Sequence, residues 1–409
     1  MSRLQAVSAA AFVAALPAGL RIFVAGCAGE PLAVLEAMPG RLDATLLAVP
    51  IPGVNRLDLS AIAPVEAAFM TPELRPGLAA GRVRFLPLHY SETDAWLRGA
   101  ARADMAIFRC AAPRHGSVSL SLTQDFIPAL AAAGAALVGV VDAALPDVPD
   151  GIRIPLDRLH ALVDGHSATP LLPLDRPGPA FAAMARHAAC RVRDGDTVQA
   201  GIGPAAAAVL GALHGHRHLR FHAGMISDAV PALLDAGALE HATTGVALGT
   251  AALYDRVARE GRIAFRPVGE THDAARLAAL PGFVAINSAV EIDLLGQVNS
   301  ETIEGRQLSG HGGVADFVRG ARRSPGGRAM TVLLSTGRGG SVSRIVARLA
   351  AGTPVSLTRA DADFVVTEHG VAELRHADLE ARAHRLIAIA APAFRDALAR
   401  EWGAMRCAM

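Results

Sequence analysis

The chain has 409 residues, 52% of them hydrophobic, and a formal net charge of +1. That length is enough for two domains with full cores, and the balanced charge argues against nucleic acid or a membrane surface as a partner. All 39 basic residues are arginine, which excludes a Schiff-base lysine and a P-loop lysine.

From the N-terminus, the apolar run Met1 to Leu20 carries one arginine and leads through Pro17-Ala18-Gly19 into Arg21–Ala25. It reads as helix, turn and first strand rather than as a signal peptide. Further short apolar strands are expected at Ala44–Val49, Val83–Leu88, Met105–Arg109 and Ala136–Val141, with Ala-rich helical stretches between them. Such alternation predicts parallel sheets with helices on both faces. Phe126 to Val141 is apolar but interrupted by Pro128, Gly134 and Gly139, so it reads as a buried helix and a buried strand, not a membrane span. Asp164 to Pro179 breaks every period and reads as a linker. Beyond it follow a helix over Ala180–Val192, a turn at Asp194-Gly195-Asp196 and a strand at Thr197–Ala200. Phe364–Thr367 reads as a strand entering a helix at Val371. The expected fold is therefore two open, mostly parallel α/β domains, about 1–170 and 180–409.

The four cysteines, Cys27, Cys110, Cys190 and Cys407, form no CxxC pair, so no disulfide framework and no thiolate metal site is expected, and a reducing cytoplasm fits. The tract His214-Gly215-His216-Arg217-His218 reads as a solvated turn rather than a metal site. The loop Gly310-His311-Gly312-Gly313 places three glycines in four positions, which lets backbone approach a ligand and aim N–H groups at negative charge.

That loop lies in the block Val284 to Gly320, and other motifs accompany it: Gly26-Cys27-Ala28-Gly29-Glu30-Pro31, Phe85 to Ser91, Pro113 to Leu120, Gly201-Ile202-Gly203, Ser227-Asp228, Gly249-Thr250, Gly339 to Val346 and Val365 to Arg375. Together they resemble the acetyl-CoA hydrolase/transferase family, class I CoA-transferases of the 4-hydroxybutyrate and acetate type. The resemblance implies a CoA-thioester cleft between two α/β domains of CoA-transferase type, with coenzyme A as substrate, a carboxylic acid as acyl group or acceptor, and no permanently bound cofactor or metal. It also implies a homo-oligomer. The family's nucleophile is a glutamate that forms an acyl anhydride and then a glutamyl-CoA thioester. Its oxyanion hole maps to the backbone of Ile202 and Gly310. The loop Gly310, His311, Gly312, Gly313 and Asp316 maps to the CoA pantetheine, and Arg344 suits a CoA phosphate as well as it suits a charged surface turn.

The family's His-Thr-Glu-Met sequence maps without a gap onto His222-Ala223-Gly224-Met225, in an extended segment, so the glutamate falls on Gly224. A glycine cannot form the anhydride. Three readings follow: attack by water or an acceptor without a covalent glutamate, a specialised transferase whose bulkier acyl group fills the vacated space, or a non-catalytic acyl-CoA binding protein. In the first, a base is needed, and Glu291, His222 and Asp228 are the candidates. Each has a plainer alternative: Glu291 as a polar strand end with Asp293 two residues on, His222 as a structural histidine, Asp228 as a helix cap.

Overall fold

The computed structural model describes residues 5–172 and 178–407. Part of the expected linker, residues 173–177, thus lies outside the described residues. Two eight-stranded sheets organise the chain. The first takes its strands from Ala6–Ser8 (β1), Leu20–Val24 (β2), Ala44–Ala48 (β3), Val65–Ala67 (β4), Val83–Phe85 (β5), Met105–Cys110 (β6), Ala136–Val141 (β7) and Leu159–Asp164 (β8). Their order is β1-β8-β7-β6-β2-β3-β4-β5, and every pairing is parallel. β6 is buried along its whole length, as an interior strand covered on both faces must be. Its Arg109 is tolerated there because Asp142 pairs with it at 2.7 Å and the carbonyls of Ala28 and Ser167 accept from it.

The second sheet is built from Thr197–Ala200 (β9), Leu219–His222 (β10), Leu239–Thr244 (β11), Ile263–Phe265 (β12), Phe283–Ser288 (β13), Arg328–Val332 (β14), Phe364–Thr367 (β15) and Gly370–Glu373 (β16). The order is β12-β11-β10-β9-β13-β14-β15-β16, parallel except for the β15–β16 pair. Here the sequence expectation of a helix at Val371 is corrected. Gly370, at φ 142°, turns the chain back and Val371 pairs with Val366 in an antiparallel hairpin.

The remaining expectations for the first sheet hold within a residue or so at Leu20–Val24, Ala44–Ala48, Met105–Cys110 and Ala136–Val141, while β5 stops at Phe85 instead of Leu88. The segment before the first predicted strand contains a short strand, Ala6–Ser8, and only then the helix Ala9–Ala14. That strand pairs with β8, a long-range contact that no local pattern announces.

The order in which strands are added reverses between β9 and β13: β10, β11 and β12 extend to one side, β14, β15 and β16 to the other. In open α/β sheets the crevice beyond the strand C-termini at such a point is where ligands bind. The loops leaving β9 and β13 begin at Gly201 and Ala289, so the Gly201-Ile202-Gly203 turn stands at that point.

Candidate active site

A cavity of about 350 Å³ opens beyond the C-terminal ends of β9 and β13. From the second sheet it is lined by Gln199, Ala200, Gly201, Ile202, Gly224, Met225 and Asn287, and from the first part of the chain by Ile51, Pro52, Phe69, Tyr90 and Asp125. His272, Ser309, Gly312, Gly313, Val314 and Phe317 complete it. Gln199 and Asn287 close its floor through a two-way amide pair, with distances of 3.3 and 3.0 Å.

The Gly201-Ile202-Gly203 turn is shaped by Gly203, whose φ of 109° a side chain rarely adopts, and Pro204 starts the helix Pro204–Gly211 immediately after it. Ile202 is thereby held at the cavity wall. The glycine loop is anchored to the Phe85–Ser91 segment, over 200 residues earlier in sequence. Tyr90 N donates to Gly312 O at 3.1 Å, Ser91 Oγ donates to Asp316 Oδ1 at 2.6 Å, and His89 Nδ1 meets His311 Nδ1 at 3.1 Å. The tautomers of the histidine pair follow from their other partners. His311 Nε2 lies 2.8 Å from the carbonyl of Ser356, which only accepts, so that nitrogen carries the proton. His311 Nδ1 is then the acceptor and His89 Nδ1 the donor. Burial, with His89 alongside, lowers the His311 pKa.

Within this loop Gly312 and Gly313 line the cavity, and Gly312 has a φ of 63°. Gly310 is buried one step away: a Cβ there would run into the carbonyl of Ala68 and lie 3.0 Å from the Phe69 ring. It is packed against the first sheet rather than set in the cavity wall. His311 and Asp316 act as the loop's fastenings, and Arg344 lies outside the cavity, its Nε 3.0 Å from where a Cβ on Gly337 would be.

The three candidate bases stand apart from the cavity wall. Glu291 Oε1 accepts from Asn299 Nδ2 at 2.9 Å, and its neighbour Asp293 holds a turn by accepting from Leu295 N and Gln297 N. Asp228 accepts from Thr250 N at 3.1 Å and from the Thr250 hydroxyl, so it fixes the start of the helix Ala251–Val257 instead of capping its own. His222 ends β10, and its Nε2 donates to the carbonyl of Thr271 at 3.0 Å. Burial lowers its pKa. In the His214–His218 tract each imidazole has its own partner: the carbonyls of Gly211 and Val192, and the carboxylate of Glu240.

Gly224 follows β10 and lines the cavity beside Ile202. Its carbonyl accepts from Gly245 N and Val246 N, each at 3.0 Å. Two residues that sequence reasoning passed over stand next to it. His272 is 2% exposed, held between the rings of Tyr90 and Phe317 at centroid distances of 5.1 and 4.6 Å. Burial, with His222 close by, pushes its pKa down to about 3, so the imidazole is neutral. Asp125 enters from the first part of the chain, and burial pushes its carboxyl up to about 7. A lone His in Glu270-Thr271-His272-Asp273 and a lone Asp before the helix Ile127–Ala132 carry no motif of their own. Only their convergence in space marks them.

The cleft thus lies at a topological switch point of an open α/β sheet, with the glycine loop in its wall. The sequence profile of the acetyl-CoA hydrolase/transferase C-terminal domain matches residues 249–402. The 4-hydroxybutyrate coenzyme A transferase of Clostridium kluyveri is 32% identical over 350 residues, covering 82% of this chain and 81% of the relative. RipA from Yersinia pestis superposes with a TM-score of 0.89 at 25% identity over 98% of both chains. The acetyl-CoA hydrolase of Saccharomyces cerevisiae is 32% identical over 202 residues, 46% of this chain and 37% of that enzyme. The chain belongs to the acetyl-CoA hydrolase/transferase family.

Proposed function

We propose that this family member hydrolyses the CoA thioester of a carboxylic acid by direct attack of water, without a covalent glutamyl intermediate. The observation that carries the reading is at residue 224. The glycine offers no carboxylate, and the space in front of it is taken: a Cβ at 224 would lie 2.8 Å from His272 Cε1. The mostly apolar cavity beside Ile202 and Gly312 suits an acyl chain with its thioester carbonyl near backbone N–H groups. Preorganised donors of that kind stabilise the tetrahedral oxyanion whichever nucleophile attacks, and are worth about 10²–10³ in rate. CoA is the leaving group and a free carboxylic acid the second product.

The same proposal takes 1–170 and 180–409 as the two domains, in support of which the two sheets end at Asp164 and begin at Thr197. It takes the loop Gly310–Asp316 as the CoA contact, supported by Gly312 and Gly313 in the cavity wall, and Ile202 as an oxyanion donor. A homo-oligomer belongs to it by family resemblance, and a cytoplasmic setting by the four distant cysteines, which fit a reducing compartment. No helix among the described residues is long and apolar enough to cross a membrane.

Incubating the pure protein with short and branched acyl-CoAs, with and without acetate or succinate, tests the reading. Free CoA without acceptor is the expected result. A new thioester formed only with acceptor, or no turnover with tight binding, would replace hydrolysis by transfer or by a binding role.

A further inference from the structure

We propose that Asp125 is the general base of this site, the carboxylate that activates the attacking water. The inference rests on the hydrolytic reading above. Asp125 is delivered to residue 224 by the seam between the two parts of the chain. Gln124 N donates to Gly245 O at 3.0 Å, Ala247 N to Leu122 O at 2.9 Å, and Val268 N to Asp125 O at 3.0 Å. Gly245 in turn donates to the carbonyl of Gly224 at 3.0 Å, so Gln124, the residue before Asp125, and Gly224 are both bonded to Gly245. Gly245 also leaves room for the carboxylate: a Cβ there would lie 2.5 Å from Asp125 Oδ1.

The side chain lines the cavity, yet its Oδ1 is shut off from solvent and has no hydrogen-bond partner. A buried polar atom without a partner is costly, and the carboxylate that carries it belongs to a side chain bordering the cavity. The titratable groups around it are the Cys27 thiol, the Tyr90 phenol and the His272 imidazole, all neutral near pH 7. None of them neutralises the carboxylate, and burial holds its pKa near 7, where a base combines a useful deprotonated fraction with basicity. His272, at about 3, is too weak a base to compete.

The step balances with water as the only co-reactant. An Asp125 carboxylate oxygen takes a proton as the water oxygen bonds to the thioester carbonyl carbon, and the carbonyl electron pair moves onto its oxygen. Collapse of the tetrahedral oxyanion breaks the C–S bond. The departing thiolate takes the proton back from Asp125, leaving free acid, CoA thiol and the original carboxylate.

The test uses the acyl-CoA that the wild-type protein hydrolyses fastest. Asp125→Asn keeps the shape and removes the base, so kcat should fall about 100-fold or more with little change in KM. Wild-type kcat/KM should rise with pH and level off near the Asp125 pKa. Single turnover in ¹⁸O-water should label the product acid and leave the peptide containing Asp125 unlabelled. Wild-type kcat in a folded Asp125→Asn protein would overturn the role, as would label in Asp125, which marks a nucleophile. If Asp125→Asn fails to fold, the wild-type profile decides: a rate flat from about pH 5.5 to 8.5 removes Asp125 as base. No CoA release by wild type from any acyl-CoA would defeat the hydrolytic reading itself, whereas release unaffected by Asp125→Asn defeats only this assignment.

Discussion

The imidazole of His272 stands against Gly224: a Cβ on residue 224 would lie 2.8 Å from its Cε1 and 3.2 Å from its Nε2. The backbone there is no obstacle, because Gly224 is not among the residues of positive φ. It is the ring that excludes a side chain. His272 is itself locked by Tyr90, Phe317 and a 2.9 Å contact between its Nδ1 and Thr271 Oγ1. Gly313 also packs against it, and a Cβ there would run into His272 Nε2.

Restoring a glutamate therefore needs two changes. Gly224→Glu alone should lower stability by about 1–3 kcal/mol through overpacking and gain no transferase activity. Gly224→Glu combined with His272→Ala should accept the carboxylate and show ping-pong transfer from acetyl-CoA to another short acid. Gly224→Gln with His272→Ala should not. Initial-rate kinetics and thermal denaturation of the variants check this, and transfer by the single Gly224→Glu variant would contradict the packing argument.

Gly310 should behave as a seam residue. A valine there meets the Ala68 carbonyl and the Phe69 ring, so the loop cannot keep its place. Gly310→Val is expected to lower the melting temperature as well as weaken acyl-CoA binding. Loss of binding with an unchanged melting temperature would instead put Gly310 in direct contact with the ligand.

The pH dependence of stability carries two opposite signs. His272 is held well below the ordinary histidine pKa, so the unfolded chain binds its proton more readily. Its contribution is fully present above about pH 6.5 and is lost as pH falls towards about 3. Asp125 is raised, so the folded chain binds the proton more readily, and its contribution declines as pH rises from about 4 to about 7. Melting curves at several pH values should show a shallower acid loss in His272→Gln than in wild type. Asp125→Asn should melt above wild type at pH 8 and match it more closely at pH 4.

The fastening between Asp316 and Ser91 should matter to the loop more than to the fold. Asp316 accepts from both Ser91 N and Ser91 Oγ, at 3.2 and 2.6 Å. Asp316→Ala removes two charge-assisted hydrogen bonds and should cost about 1.5–3 kcal/mol, with weaker acyl-CoA affinity measured by calorimetry. Unchanged stability and affinity would detach the loop from the site.

The legible part of the fold was its local pattern. Buried runs such as Met105–Cys110 and Ala136–Val141 announce parallel strands because both faces are covered. The strand Ala6–Ser8 stayed hidden because it is three residues long, exposed, and exists only through β8. The Val371 strand looked helical because what decides it is the turn at Gly370 and pairing with β15. The resemblance located Ile202, Gly224 and the glycine loop, all on or beside the cavity wall. It gave no reason to single out His272 or Asp125, whose relation to Gly224 depends on a seam between segments roughly 100 residues apart in sequence. Glu291, His222 and Asp228 looked available because sequence does not show that Asn299, Thr271 and Thr250 already hold them.

The central claim is turnover without a covalent enzyme intermediate at residue 224. Its most direct test is to mix the protein with its best acyl-CoA, quench with borohydride during turnover, and map the 219–228 peptide by mass spectrometry. Release of free CoA with that peptide unmodified is the predicted result. A side-chain carboxyl reduced to an alcohol within 219–228 would contradict it.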